Sequence, residues 1–273
     1  MGKADMDKAV ILARGLGTRM RKSEEGAKLD AEQAAMAASG IKALMKLDRP
    51  FLDYVLGSLA DAGYRRVCLV IGPEHDVIRD YVAALELKRL SIDFAIQEKP
   101  LGTGDAVAAA AAFAAGEHFL CVNSDNYYPH EALAGLRSLG SPGLAGFQRE
   151  GMLAGSNIPA DRVSKFACIR TDAQGCMAEI LEKPSPEVVA SLPQPICLSM
   201  NCWRFGPEIF PACAAIKPSP RGELEITDAV QYAIDKLHVR YRVLPVSAPV
   251  LDMSSRGDVA AVRDKLVGTA VSL

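Results

Sequence analysis

Apolar residues in this chain occur in short continuous runs separated by glycine, proline and charged residues. The first run covers residues 9–13, is rich in β-branched side chains and ends at a turn containing two glycines. A run of this length and composition is typical of a strand buried on both faces of a sheet. Comparable runs predict strands at residues 9–13, 67–71, 92–97, 118–122, 144–148, 166–170, 176–181, 196–205 and 240–246.

Helices are predicted between these strands. Asp30 followed by Gln33 is typical of a helix N-terminus and Gly40 of a helix end, which indicates a short helix over 31–39. Residues 224–237 form a strongly amphipathic segment. The predicted helices cover residues 31–39, 51–63, 74–85, 105–115, 207–216, 224–237 and 256–266.

The order of the elements predicts an α/β fold. Strands and helices alternate up to about residue 140, which favours right-handed βαβ units and a parallel sheet. Beyond that point a turn at 172–175 joins two runs as an antiparallel hairpin. Because no repeat, low-complexity segment or long linker interrupts the chain, we predict a single domain over 1–273. Its mixed, mostly parallel sheet is flanked by helices, and its two halves meet near residue 140.

Composition narrows the partners and the compartment. The chain has 273 residues, 49% of them hydrophobic, a net charge of −2 and a pI near 6.1, so no basic field would hold a nucleic acid. Seven dispersed cysteines without a Cys-x-x-Cys pair predict buried free thiols in a reducing compartment. We find no signal segment and no 18-residue apolar stretch, and we therefore expect a cytoplasmic protein without a membrane partner. The sequence leaves open whether it forms a homo-oligomer.

The turn after the first strand is the first candidate for chemistry. It contains Gly15 and Gly17, which expose backbone amides, between Arg14 and Arg19, which bring positive charge. Such a turn suits phosphate oxygens, although a tight turn without function has the same pattern. Met20 stands where the dinucleotide fingerprint needs a third glycine, and no Gly-Lys-Ser/Thr follows as in a P-loop.

Other candidate residues follow the later strands. Ligands of open α/β sheets bind at the carboxyl ends of the strands, where Gln97, Asp125 and Asp252 are placed. Gln97 could pair with a pyrimidine edge while Gly102 lets the ring approach the backbone, or it could cap the next helix. Asp125 could equally be a turn or cap residue.

Taken together, these segments resemble the sugar-1-phosphate nucleotidylyltransferases, the nucleoside-diphosphate-sugar pyrophosphorylases. Residues 12–19 are similar to the family's opening Leu-Ala-x-Gly-x-Gly-Thr-Arg, 42–55 to its lysine signature, and 97–107 to its uridine-binding loop. Residues 182–184 match its Glu-Lys-Pro, and 221–229 contain its Gly-Glu-Leu-Glu-Ile-Thr-Asp. The resemblance covers almost the whole chain in the family's order. It implies the Rossmann-like nucleotide-diphospho-sugar transferase fold, with a nucleotide-binding half over about 1–140 and a sugar-binding half over about 141–273.

The resemblance also implies roles for individual residues. Asp125 and Asp252 match the two carboxylates that hold Mg²⁺, a cation that prefers oxygen ligands. Arg19 and Lys42 match the catalytic cations. The nucleotide would contact Leu12, Ala13, Gly15, Gly17, Thr18, Gln97, Gly102 and Thr103. The sugar phosphate would contact Glu182, Lys183, Asn201 and Arg221.

The implied reaction is transfer of a nucleotidyl group from a nucleoside triphosphate, with UTP or dTTP favoured, to a sugar 1-phosphate. Two alternatives stay open: a catalytically silent homologue that binds a nucleotide sugar, and cytidylyl transfer to an alcohol phosphate. Several features depart from the family's pattern. Arg14 replaces a small residue, Ile41 replaces a proline, and the helix at 31–39 lengthens the gap before Lys42, for which Lys28 and Lys46 are rivals.

Overall fold

A computed structural model describes residues 6–22, 24, 26–182 and 184–273. Within them, a nine-stranded mixed sheet lies between helices, and a two-stranded ribbon lies beside it. The strands are β1 (Lys8–Leu12), β2 (Arg66–Ile71), β3 (Ser91–Ile96), β4 (Phe119–Asn123), β5 (Asn126–Tyr127), β6 (Gly143–Gln148), β7 (Cys168–Thr171), β8 (Met177–Leu181), β9 (Cys197–Phe205), β10 (Arg242–Val246) and β11 (Leu251–Asp252).

The helices connect these strands and cover both faces of the sheet. A 3-10 helix (Lys42–Leu44) precedes the third α-helix. The α-helices are α1 (Thr18–Arg21), α2 (Ala31–Ser39), α3 (Phe51–Asp61), α4 (Asp76–Ala83), α5 (Thr103–Ala109), α6 (Ala111–Ala114), α7 (His130–Ser138), α8 (Arg149–Gly155), α9 (Ala160–Val163), α10 (Pro186–Ser191), α11 (Ile209–Ala215), α12 (Ile226–Leu237) and α13 (Asp258–Leu266).

The sheet has the order β10-β6-β9-β4-β1-β2-β3, and β7 and β8 extend it from β9. The strands β4, β1, β2 and β3 are parallel, so their carboxyl ends lie at one edge. The long β9 is antiparallel to β4 and to β6 and thereby joins the two halves of the chain. The predicted mixed, mostly parallel α/β architecture is confirmed.

The core consists of two layers, one on each face of the sheet. Ile11 belongs to the layer formed with α3, α7 and α13, whereas its neighbour Val10 belongs to the layer formed with α5, α11 and α12. Both side chains are fully buried, as expected for alternate residues of a central strand with helices on both sides. This rigid centre fixes where β1 ends.

Some predicted boundaries are wrong in detail. The helix expected over 105–115 is divided into α5 and α6 at Ala110, and α5 begins earlier, at Thr103. The helix over 31–39 is present as predicted, with a reciprocal capping box between Asp30 and Gln33. The late strand expected to end at Asp252 is present as β11, but its pairing with β5 was not predicted, because two-residue strands leave no periodic signal.

All seven cysteines lie among the described residues, where they are buried and form no disulfide. Burial raises the pKa of the Cys68 thiol to about 12, so this group stays protonated at neutral pH. In the described part of the chain, no helix combines the length and the apolar character needed to cross a membrane.

Candidate active site

A cavity of about 330 Å³ opens at the carboxyl edge of the parallel strands. This is where open α/β sheets bind their ligands. It brings together residues from six separate segments of the sequence. The predicted site residues that line it are Leu12, Ala13, Gly15, Thr18, Lys42, Gln97, Gly102, Thr103, Asp125 and Asn201.

The glycine turn after β1 is held in place by the inserted helix α2. Gly17 has a left-handed backbone (φ 60°), and a Cβ there would lie 2.3 Å from the carbonyl oxygen of Gly40, the residue that ends α2. Arg21, which follows the turn, also contacts the end of α2: its Nη2 donates a hydrogen bond to the carbonyl oxygen of Ser39 at 2.7 Å. Gly17, a predicted nucleotide-binding residue, therefore contacts the end of α2 and does not line the cavity, whereas Gly15 and Thr18 do.

Arg14 turns toward the ends of β2 and β3. Only 6% of the residue is exposed, and its Nη2 donates to Glu74 Oε2 at 3.1 Å and to the carbonyl oxygen of Glu98 at 3.3 Å. The guanidinium lies over Gly72, where a Cβ would come within 2.6 Å of its Nε. Arg14 Nε and Nη1 are buried and find no partner among the described residues.

Lys42 is the one of the three candidate lysines that lines the cavity in the described structure. It follows Ile41 at the start of the 3-10 helix, and its Nζ forms an ion pair with Asp125 Oδ2. Both side chains are more than four-fifths buried. Lys46 instead pairs with Glu32 at 2.8 Å on the surface, and Lys28 is exposed.

Asp252 lies beside Asp125 because the ribbon places them together. In the ribbon Asp252 pairs with Asn126, and the amide of Met253 donates to the carbonyl oxygen of Asp125 at 2.8 Å. Asp252 Oδ1 accepts hydrogen bonds from Asn126 Nδ2 at 2.9 Å and from Ser254 Oγ at 3.0 Å. Burial raises the pKa of Asp252 to about 6, and the nearby Asp125 carboxylate adds to the rise.

Arg162 is a site residue that sequence reasoning missed. Its Nη2 forms an ion pair with Asp252 Oδ2, and its Nη1 lies 3.1 Å from Asp258 Oδ1. It comes from α9, which has four residues and matches no quoted motif. The single signal in the sequence is its positive charge, which it shares with many surface residues.

Arg19 does not line the main cavity. It lines a neighbouring cavity of about 400 Å³ together with Arg162, Asn157 and Asp258. Asn157 connects the two regions, since its side chain exchanges hydrogen bonds with the backbone of Asp252 at 2.8 and 2.9 Å. Asp252 therefore lies between the cavity that Arg19 lines and the Asp125 carboxylate in the main cavity.

The opposite end of the main cavity is formed by Gln97, Gly102 and Thr103. Gln97 follows β3 and is 4% exposed, and its Nε2 donates to the carbonyl oxygen of Gly102 at 3.0 Å. Leu224 fixes this loop from the far half of the chain. Its amide donates to the carbonyl oxygen of Leu101 and its carbonyl accepts from Gly104, both at 2.7 Å. The amide of Ile226 donates to Thr103 Oγ1 at 2.9 Å.

The predicted sugar-phosphate residues are not all at the cavity. Asn201 lines it with a left-handed backbone (φ 54°), and its Oδ1 accepts a hydrogen bond from Trp203 Nε1 at 3.3 Å. Arg221 is mostly exposed, and its ion pair with Glu225, at 2.7 Å, raises its pKa. Glu182 lies near enough to add to that rise, and Lys183 lies outside the described residues.

The two neighbouring carboxylates fit a divalent cation. Asp125 and Asp252 supply hard oxygen atoms, and their mutual repulsion, which contributes to the raised pKa of Asp252, is what a cation between them would relieve. Among the described residues no group of three or more histidine, cysteine or acidic side chains is placed to hold a metal. Such a cation would therefore need further oxygen ligands from water or a substrate, as Mg²⁺ commonly takes.

Residues 36–248 match the model of a protein family described as nucleotidyl transferase. The chain is 29% identical over 228 residues to a glucose-1-phosphate thymidylyltransferase of Streptomyces griseus, covering 84% of this chain and 57% of that one. It is 28% identical over 262 residues to a UTP–glucose-1-phosphate uridylyltransferase of Bacillus subtilis, covering 87% and 82% respectively. The chain spans about half to three fifths of the length of several curated relatives.

Among solved structures, a UDP-glucose pyrophosphorylase complexed with UDP-glucose has a similar fold. The TM-score is 0.73, and the match covers 97% of this chain and all of that one, at 18% sequence identity. An apo-UDP-glucose pyrophosphorylase gives a TM-score of 0.71 over 95% and 97% of the two chains. At this identity the likeness establishes the fold alone.

Proposed function

The chain belongs to the nucleotidyl transferase family, and from this premise we propose that it transfers a nucleotidyl group from a nucleoside triphosphate to a sugar 1-phosphate. UTP or dTTP is the favoured donor, and pyrophosphate is the second product. The observation that carries the proposal is that Asp252 lies beside Asp125, and that Asp125 lines a cavity together with Gln97 and Gly102.

In the proposed reaction, an oxygen of the sugar phosphate forms a bond to the α-phosphorus, and the bond from that phosphorus to the bridging oxygen of pyrophosphate breaks. The nucleophile is already an anion, so no general base is required. Catalysis then consists of aligning two anions that repel each other and neutralising their charge. A cavity with Lys42 and the glycine turn at its wall is suited to that task.

The proposed scheme gives each candidate site residue a role. The amides of the turn at Gly15 and Thr18 bind the triphosphate, and Lys42 neutralises charge at the α-phosphate. Arg19, in the neighbouring cavity, binds the departing pyrophosphate. Glu182, Lys183, Asn201 and Arg221 retain their predicted roles on the sugar-phosphate side. Asp125 and Asp252 would hold Mg²⁺, which supplies charge neutralisation between the two phosphates when bound.

One observation favours the silent homologue instead. Both carboxylates already pair with a cation of the chain, Asp125 with Lys42 and Asp252 with Arg162. A site whose charges are balanced in this way could bind a nucleotide sugar without turning over. Activity and binding must therefore be measured separately.

The test is pyrophosphate release with Mg²⁺ from a panel of nucleoside triphosphates and sugar 1-phosphates. We expect release by the wild type and a loss of at least about a hundredfold in Asp125→Ala, a change that removes one charged ligand. Asp252→Ala should lose as much. Asp80→Ala, which alters an exposed carboxylate on α4, serves as the control.

Thermal unfolding keeps the variants interpretable, since a folded but inactive Asp125→Ala still unfolds in a cooperative transition, at a lower temperature because Lys42 loses its buried partner. Full pyrophosphate release by that variant would refute the metal assignment. A wild type that releases none across the panel, yet melts higher with a nucleotide, would establish the silent homologue.

A further inference from the structure

The side-chain amide of Gln97 is fixed in one orientation. Its Nε2 carries two hydrogens, and these point to the carbonyl oxygen of Gly102 at 3.0 Å and to Asp105 Oδ2 at 2.8 Å. Both partners can only accept hydrogen bonds. If the amide rotated by half a turn, Oε1 would face a carbonyl oxygen and a carboxylate, and all three would repel one another.

This orientation leaves one polar atom for a ligand. Oε1 accepts no hydrogen bond from the described residues, and Gln97 lines the cavity. The cavity therefore presents an acceptor at this point. A base that approaches it with a ring N–H gains a hydrogen bond, whereas a base with an unprotonated ring nitrogen meets repulsion between two acceptors.

Asp105 reaches Gln97 from behind the cavity wall. It is the third residue of α5, it is not itself a lining residue, and its carboxylate makes the charged one of the two bonds to Nε2. The start of α5 has little freedom to move, because a Cβ at Gly102 would lie 2.6 Å from the carbonyl oxygen of Leu224. Asp105 thus acts on the amide from a fixed platform.

We propose that Asp105 is a positioning residue that sets base selectivity by holding the oxygen of the Gln97 amide toward the cavity. The site then takes uracil or thymine, whose N3 carries a hydrogen, and rejects cytosine, whose N3 is an acceptor. This inference rests on the proposed function for the identity of the ligand as a nucleoside triphosphate. It concerns how one base is chosen over another of nearly the same shape.

The test compares dissociation constants of UTP and CTP for the full chain by calorimetry, without a sugar phosphate, so that turnover plays no part. We expect the wild type to bind UTP more tightly than CTP. In Asp105→Asn the charged bond becomes a neutral one that either amide orientation can satisfy, and the preference should fall about tenfold. Asp80→Asn makes the same charge change on the exposed face of α4 and should keep the preference.

N3-methyl-UTP provides a second readout that a merely structural role would not change. The methyl group removes the ring N–H, so the wild type should bind it much more weakly than UTP, and Asp105→Asn should show a smaller difference. A ratio of UTP to CTP affinity that is unchanged in Asp105→Asn overturns the inference. So does an equal loss for both nucleotides, or a wild type that prefers CTP.

The measurements distinguish failure of this inference from failure of the proposed transferase activity. A wild type whose preference for UTP over CTP depends on Asp105, but which releases no pyrophosphate, refutes the transferase activity and supports this inference. A wild type that turns over UTP and CTP equally supports the activity and refutes the inference. Absence of binding to either nucleotide refutes both.

Discussion

At the scale of single residues, Arg162 occupies the Asp252 carboxylate that a divalent cation would need. Asp252 Oδ1 already accepts hydrogen bonds from Asn126 and Ser254, and Oδ2 is paired with Arg162. A divalent cation that binds Asp252 through Oδ2 must displace the guanidinium. Arg162 remains near Asp258 in that case, because its Nη1 is 3.1 Å from that carboxylate.

We therefore predict that Arg162→Gln binds divalent cations more tightly than the wild type. Removing a competing charge of this kind should lower the dissociation constant of Mn²⁺ by about tenfold. The measurement is free Mn²⁺ by electron paramagnetic resonance at constant protein concentration. Arg79→Gln is the control, since Arg79 pairs with Asp76 on α4, away from both cavities.

Equal or weaker Mn²⁺ binding by Arg162→Gln would contradict this prediction. It would mean that the arginine supports the arrangement of Asp252 and Asp258 instead of competing with the cation.

Three of the predicted residues at the cavity share one property. Gly15, Gln97 and Asp125 each follow a parallel strand, so the topology alone brings them to one edge. Arg162 could not be found in this way, since it reaches Asp252 across 90 positions from the short helix α9, which does not directly follow a strand. The orientation of the Gln97 amide was equally hidden, because it depends on Asp105 as well as on the loop.

At the scale of elements, the end of the inserted helix α2 lies against the glycine turn after β1. The sequence predicted α2 from its capping box, but not that Gly40 would lie against Gly17, since this contact depends on how the chain returns over the turn. The ribbon of β5 and β11 was hidden for a different reason. Its two-residue strands are defined by their pairing and carry no pattern of their own.

The contact between α2 and the turn can be measured with glycine substitutions. Gly17→Ala and Gly175→Ala both place a side chain at positive φ, which costs about 1–2 kcal/mol. A Cβ at Gly175 meets nothing within 4 Å, whereas at Gly17 it collides with Gly40. We expect Gly17→Ala to have the lower urea midpoint and, unlike Gly175→Ala, to bind UTP more weakly. Equal midpoints would show that α2 can move away without loss.

At the scale of the whole molecule, one sheet extends through both halves of the sequence. The alternation of strands and helices predicted the parallel strands, but not the order β10-β6-β9-β4, in which neighbours are far apart in the chain. That order depends on β9, which pairs with strands from either half. Local patterns report the type of an element and not its distant partner.

The continuous sheet predicts that the chain unfolds as one unit, in keeping with a single domain over 1–273. Trp203, the one tryptophan of the sequence, is buried in β9 and stacks on Phe205 at 5.6 Å between ring centroids. Its fluorescence should follow the same urea transition as far-UV circular dichroism, which reports on all elements. Two separated transitions would instead divide the chain into independent halves.

The backbone bonds of Leu224 limit how this protein could be re-engineered. The loop over 97–105 takes its shape from a residue more than a hundred positions later. Transplanting that loop alone into a relative would transfer Gln97 and Asp105 without the backbone hydrogen bonds of Leu224 that hold the loop. A graft that keeps the shape of the loop would have to include the stretch around Leu224 as well, so the proposed base selectivity would have to be transferred with both segments together.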